Sequence, residues 1–248
     1  MKKKFILKDI ILALCLGGIM ILSSGCEKPM PEKKVDVENK STKNESMYSR
    51  PANISSPEEA KNLLLEGNKR FTTGKISNKD FSVKKIRELS QKGQEPFAVI
   101  LSCSDSRIPP ETVFDQGLGD LFVIRNAGNV VESISLGSIE YGVGELKAPL
   151  VVVLGHEKCG AVKATVDGHS VSENIAQVVN KIKPSYEKVK ASSNKNEEVY
   201  KNSEDENIRN SIDEIKKSDV IKNLLENKQI EVVGAKYNIE TGEIKFMD

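Results

Sequence analysis

The sequence predicts an α/β fold: a mainly parallel sheet of four strands plus an antiparallel edge strand, helices on both faces, and an N-terminal helical arm. Three features carry that expectation. Short apolar runs at residues 97–102 and 149–155 are rich in β-forming residues and lack in/out alternation, the pattern of strands buried on both faces. Such runs alternate along the chain with segments of helical period. Both runs stop abruptly in polar clusters, at Cys103 and at His156, so reactive side chains fall at strand carboxyl ends, where open α/β sheets bind ligands.

Before the domain lie two segments of other character. Residues 1–4 are basic, and residues 10–22 form an apolar core that is short for a membrane span but suits a signal peptide. Ser23, Ser24 and Gly25 precede Cys26, as in a bacterial lipoprotein signal, although Ser23 stands where Leu is commonest. The expectation is a signal at residues 1–25, lipidation of Cys26, and an extracytoplasmic protein held to the cell membrane by that lipid alone; plain secretion and an uncleaved anchor are the alternatives. Stable attachment needs more than one acyl chain on Cys26. Residues 26–55 are polar and lysine-rich, with Pro29, Pro31 and Pro51 and no apolar period, and are expected to be a flexible tether.

The domain is expected over residues 56–248. Ser56 is an N-cap, Pro57 takes the first helical position, Glu58 and Glu59 fill the first turn, and Gly74 ends the helix. Ala60, Leu63, Leu64 and Phe71 give it one apolar face. Residues 81–91 follow as a second helix through Val83, Ile86 and Leu89. These two helices form the arm, and either their own sheet or a neighbouring subunit can cover them. After the first strand, Pro109 and Pro110 force a turn before a short helical stretch at 111–114. Residues 121–125 are a third buried strand, and 133–146 a helix covering the sheet through Ile134, Leu136, Ile139, Tyr141 and Val143. A helix at 159–166 follows the strand at 149–155. Residues 171–188 and 203–227 read as amphipathic helices joined by a charged loop. Residues 230–237 are the fourth strand, and a turn at 238–243 leads to the antiparallel edge at 244–247.

The chain has 248 residues, room for one domain of roughly 200 residues and an appendage. Charged residues make up 29% at a net charge of +1, which gives no basis for a nucleic-acid partner. Aromatics are 5% with no Trp, which argues against a stacking platform. Of the four Cys, Cys15 and Cys26 lie in the N-terminal segment, leaving Cys103 and Cys159 in the body with only two His in the whole chain. Cys103 and His156-x-x-Cys159 are three good zinc ligands brought from two strand ends. A disulfide between the two thiols competes with this reading, but it would leave His156, Asp105 and Arg107 without a reason. A structural zinc would need a fourth Cys or His, and the only candidate, His169, sits in a turn-like sequence where a solvated role is the default. Three ligands and one open position suit a catalytic zinc. Beside it, the Asp105 carboxylate can accept a hydrogen bond from water or ligate the metal, and the Arg107 guanidinium can hold that carboxylate ionised and oriented.

Cys103-Ser104-Asp105-Ser106-Arg107 followed by His156-x-x-Cys159-Gly160 resembles the β-class carbonic anhydrases. The similarity runs over about residues 64–163, including 66–71, 114–129 and 137–141. The resemblance implies one Zn2+ per subunit on Cys103, His156 and Cys159, a catalytic Asp105–Arg107 dyad, Asp105 as a possible fourth metal ligand in a closed resting state, and Gly160 in substrate binding. It implies a lyase of carbon utilisation that reversibly hydrates CO2 to bicarbonate and a proton, using hydroxide formed at zinc and oriented by Asp105. It also implies a homodimer or higher homo-oligomer whose N-terminal helices clasp the partner, with the cleft at the interface and the strands ending at Cys103 and His156 side by side. Members regulated by bicarbonate carry Trp three residues before the first Cys; here that residue is Ile100, although Arg125 fits the associated Arg. The expectation is therefore an open site without a bicarbonate pocket. Two alternatives remain: a CS2 or COS hydrolase on the same zinc site, and a non-catalytic surface zinc-binding protein, which leaves Asp105-x-Arg107 unexplained.

Overall fold

A computed structural model describes residues 47–192 and 196–247. The expected signal, Cys15, the lipidation site Cys26 and the tether up to residue 46 lie outside the described residues. The described chain builds a five-stranded sheet of order β2-β1-β3-β4-β5. Strands β1 (Ala98–Cys103), β2 (Leu121–Asn126), β3 (Leu150–His156) and β4 (Glu231–Tyr237) are parallel, and β5 (Ile244–Phe246) pairs antiparallel with β4. The expected four parallel strands and antiparallel edge are observed, but β2, expected to be buried, is itself an edge strand whose residues are half-buried or, at Arg125, exposed.

Every residue of β1 and of β3 is buried, which is why neither run shows alternation. Successive side chains still point to opposite faces. Ile100, Val152 and Leu154 join the core on one face, with Ala60 and Leu64 of α1 (Pro57–Thr72), Val113 of α3 (Pro110–Val113), Val162 of α5 (Gly160–Asp167) and Ile182 of α6 (Glu173–Ser192). Val99, Leu101, Val151 and Val153 join the other, with Ile139 and Val143 of α4 (Ser133–Gly144), Ile208 and Ile215 of α7 (Asn196–Ile215) and Ile221 of α8 (Asp219–Glu226). Full burial of each such Leu or Ile contributes about 1.5–3 kcal/mol before the entropy cost of ordering it. The chain passes from β1 outward to β2 and then crosses to β3 on the other side of β1. That reversal leaves a crevice at the carboxyl ends of β1 and β3, where Cys103 and His156 stand.

The arm divides. In α1, Ser56 Oγ accepts the Glu59 N–H at 3.1 Å, and the helix buries Ala60 and Leu64 on its own sheet. By contrast α2 (Val83–Lys92) buries no residue, and Phe81, Val83 and Ile86 are 63%, 62% and 52% exposed. Three helical expectations need correction. In α4, Ile139 and Val143 face the sheet as expected, but Ile134 and Tyr141 are turned to the surface. The charged segment after residue 188 is mostly helix: α6 runs to Ser192 and α7 starts at Asn196, since residues 189–202 contain neither Gly nor Pro and are rich in helix-tolerant Lys and Glu. The single helix expected at 203–227 breaks after Ile215, because Ser218 accepts the Ile221 N–H at 3.3 Å and caps a new helix, α8. The end of the expected tether also lies on the domain. Tyr48 donates to Gln116 Oε1 at 2.5 Å, and Arg50 pairs with Asp120 at 3.1 Å. No helix among the described residues is long and apolar enough to cross a membrane.

Candidate metal centre

The two strands deliver their last residues to one point. After His156, Glu157 and Lys158 make a tight turn, with Lys158 at φ 56°, that brings Cys159 to the N-cap of α5. One donor atom from each of Cys103, His156 and Cys159 lies within 4.8 Å of the others, and all three residues are buried. Both cysteines are free thiols, so the competing disulfide does not form.

His156 Nδ1 lies 2.8 Å from the Glu157 carbonyl oxygen. A carbonyl only accepts, so Nδ1 carries the proton and Nε2 keeps its lone pair. Nε2 is buried and has no hydrogen-bond partner. An unpartnered buried polar atom costs about 1–3 kcal/mol. A cation between this nitrogen and the two sulfurs removes that cost, so the residues fit a metal ion, and two thiols with one imidazole suit zinc. Electrostatics agree. The Cys159 side chain beside it holds the Cys103 thiol well below its ordinary pKa against the pull of burial, aided by His156 and the Gly128 N–H. Cys159 is pushed up in turn, because Cys103 and burial both oppose a second anion. Burial opposes charge on His156, yet the Cys103 sulfur raises it overall. The metal-free pocket thus favours one thiolate, at Cys103, and resists a second at Cys159, a resistance that a divalent cation would relieve.

Backbone geometry supports the first thiol. The N–H of Gly128 donates to Cys103 Sγ at 3.3 Å. Gly128 has φ 72°, and a Cβ there would meet Ile182 Cδ1 at 2.7 Å, so only glycine brings that N–H to the sulfur.

Asp105 and Arg107 form the pair expected of them. The Arg107 backbone N–H and Nε donate to Asp105 Oδ1 at 3.0 and 2.9 Å, and its NH2 donates to Oδ2 at 2.7 Å. Arg107's side-chain hydrogen bonds hold the carboxyl of Asp105 well below the usual carboxylate range. Asp105 is not a member of the Cys103–His156–Cys159 donor group. His169 is not in it either; its Nδ1 lies 3.9 Å from Asp167 with a 74% exposed side chain. Gly160 opens α5 directly after Cys159 and has open space where a Cβ would stand. Arg125, opposite Ser102 in β2, donates to the carbonyls of Cys103 and Asp105 at 3.1 and 2.7 Å and braces the turn between them. Arg125 fits the Arg of bicarbonate-regulated relatives, although Ile100 led to an expected absence of that pocket; its partners here are backbone carbonyls, which leave no sequence signal.

The family model described as carbonic anhydrase matches residues 98–244. A carbonic anhydrase of Mycolicibacterium smegmatis is 45% identical over 135 residues, which cover 53% of this chain and 65% of that protein. One from Synechococcus elongatus is 30% identical over 193 residues, 73% of this chain and 69% of that protein. The chain thus spans somewhat under two thirds of the length of its mycobacterial relatives, at 65% and 64%. Among solved structures, the β-carbonic anhydrase CcaA superposes with a TM-score of 0.62 at 27% identity, covering 76% of this chain and 87% of that one. A tetrameric β-carbonic anhydrase of Sordaria macrospora superposes with a TM-score of 0.59 at 25% identity, covering 76% and 93%. With the donor group, the sheet and the matched residues in agreement, the chain belongs to the carbonic anhydrase family, in its β class.

Proposed function

We propose that the protein catalyses the reversible hydration of CO2 to bicarbonate and a proton, with zinc on Cys103, His156 and Cys159 and with Asp105 and Arg107 as the catalytic pair. The observation that carries this reading is the juxtaposition of an inward, unpartnered His156 Nε2 and two free thiols with a carboxylate pinned by three N–H groups of one arginine. Zinc, when bound, supplies a Lewis acid that acidifies water into a nucleophile near neutral pH. The residues supply orientation. Asp105 is ionised and acceptor-only, so it takes the O–H of the attacking species and turns the lone pair toward carbon. Arg107 stops the carboxylate from rotating, and Arg125 ties its backbone to β2. Because Asp105 stands outside the donor group, the resting site we favour leaves it a hydrogen-bond acceptor and not a metal ligand.

The exposed apolar side chains of α2, together with a structural relative described as tetrameric, support a homo-oligomer. Sedimentation at several protein concentrations tests it. Acylation of Cys26, with the protein held at the outer side of the cell membrane, is a further part of this reading, tested by mass spectrometry of the membrane fraction. The activity is tested by metal analysis joined to stopped-flow CO2 hydration on the purified protein, with CS2 and COS assayed in parallel. Stoichiometric zinc with CO2 turnover supports the proposal. A zinc-loaded protein that turns over only the sulfur substrates, or nothing, refutes it.

A further inference from the structure

One face of α7 touches the backbone of Cys159, of Gly128 whose N–H reaches Cys103 Sγ, and of Gly155 just before His156. Glu204, Asn207, Ile208 and Ser211 share that face, at helical spacings of three, four and seven. Glu204 Oε1 accepts the backbone N–H of Cys159 at 3.3 Å in a buried contact. The same carboxylate is fixed from β4 by Lys236, whose Nζ lies 2.9 Å from Oε2. Asn207, 1% exposed, donates from Nδ2 to the Gly128 carbonyl at 2.8 Å. That contact orients the residue whose own N–H reaches Cys103 Sγ. Ile208 lies against Gly155, the residue before His156, where a Cβ would come within 2.6 Å of its side chain.

We propose that α7 is the outer clamp of the metal centre, with Asn207 and Glu204 as positioning residues for the thiolates of Cys103 and Cys159. The turn at Gly128 and Asn129 holds two successive residues at positive φ, 72° and 46°, which Gly and Asn adopt readily, so what fixes its orientation is its contacts. Asn207 supplies one of those contacts, with Ser211 beside it donating to the Asn129 carbonyl at 3.0 Å. Loss of Asn207 frees the turn, and the N–H to Cys103 Sγ loses its aim. Loss of Glu204 frees the Cys159 N–H and the start of α5. An N–H donated to a metal thiolate withdraws charge from the sulfur, so Asn207 sets donor strength as well as position. The inference rests on the metal reading of Cys103, His156 and Cys159, and not on which substrate is turned over.

The test uses the full-length protein and its variants Asn207→Leu, Glu204→Ala and Glu204→Gln. Ser218→Ala, which removes the cap of α8 away from the metal centre, serves as the stability control. Zinc affinity is measured by chelator competition, the thiolate-to-metal charge-transfer band after cobalt substitution, and folding by circular dichroism of the metal-free protein. Outer contacts of this kind are typically worth about 10–100-fold in metal affinity. Asn207→Leu and Glu204→Ala are expected to weaken zinc by that factor, with Asn207→Leu also moving the charge-transfer band. Glu204→Gln keeps a carbonyl acceptor and should stay within about threefold of wild type on the same scale. Ser218→Ala should lower the melting temperature while leaving affinity and band unchanged. If Asn207→Leu fails to fold, the two Glu204 variants decide. Folded Glu204→Ala with wild-type affinity, or Ser218→Ala weakening zinc as much as the α7 variants, overturns the clamp. A wild-type protein that binds neither zinc nor cobalt overturns the metal reading instead.

Discussion

Asn68 offers a stringent test of how the arm is joined to the body. It is 5% exposed on α1, and its side chain makes three hydrogen bonds to backbone far away in the chain. Nδ2 donates to the carbonyls of Val113 and Gly242 at 3.0 and 2.9 Å, and Oδ1 accepts the N–H of Ile244 at 2.9 Å. One residue thereby ties α1 to the end of α3 and to the turn before β5. Asn68→Ala strands two carbonyls and one N–H in the interior. At about 1–3 kcal/mol for each buried group left unpaired, and with water or small shifts recovering part, the expected loss is about 3–5 kcal/mol. For a domain of this size about 2–4 °C of melting temperature follows each kcal/mol, so the midpoint should fall by roughly 6–20 °C. Urea unfolding with an unchanged slope would confirm that the native state alone has been weakened. A variant within about 1 kcal/mol of wild type would refute the reasoning, because it would mean that these three groups find equal partners without Asn68.

Three further outcomes are expected. Arg107→Ala should lower CO2 hydration by about tenfold or more while zinc content and melting temperature hold, since it removes orientation from Asp105 and little else; near-normal turnover in stopped flow would exclude the dyad. Asp115 is fully buried among Lys79, Arg70 at 2.6 Å and Ser77 at 2.9 Å, so Asp115→Asn should cost about 3–5 kcal/mol by leaving cations uncompensated. Burial opposes the charge of Asp115, but these partners keep its carboxyl below the ordinary value; its stabilisation is therefore full above about pH 4 and is lost as pH falls through the lower native value, so the gap between wild type and variant in urea titrations should close only in that acid window. Gly155→Ala should cost about 1–3 kcal/mol by driving a methyl group into Ile208, and shortening Ile208 to Val should recover part of it in a double-mutant cycle; purely additive effects would deny the contact.

The strands that carry the donors were legible because burial on both faces leaves an unmistakable run of apolar residues at 97–102 and 149–155. The donors themselves were legible because so few side chains can serve: with two His in the chain and two Cys in the body, chemistry narrowed the choice to Cys103, His156 and Cys159. The same economy does not apply to their supports. Glu204 and Asn207 sit in a helix that is polar nearly throughout, and what they hold is backbone: the Cys159 N–H and the Gly128 carbonyl. Main-chain partners leave no trace in side-chain pattern. Residues 196–202 were unreadable for a related reason, since their charge masks helical period. Tyr48 and Arg50 looked like tether because Gln116 and Asp120, which they meet, are distant in sequence and carry no local cue.

Cys103 and His156 belong to strands that are neighbours in space, yet β2 and α4 intervene between them along the chain. In the denatured polypeptide they are strangers, and gathering them there would carry the full entropic penalty of closing a long loop. An ion that recognises this trio therefore rewards the finished tertiary arrangement most, and resistance against heat and urea rises with the logarithm of its free concentration. Scarcity of that ion would then act twice: empty molecules lose the group that activates water, and the same molecules, having lost its stabilisation, open more often to proteases.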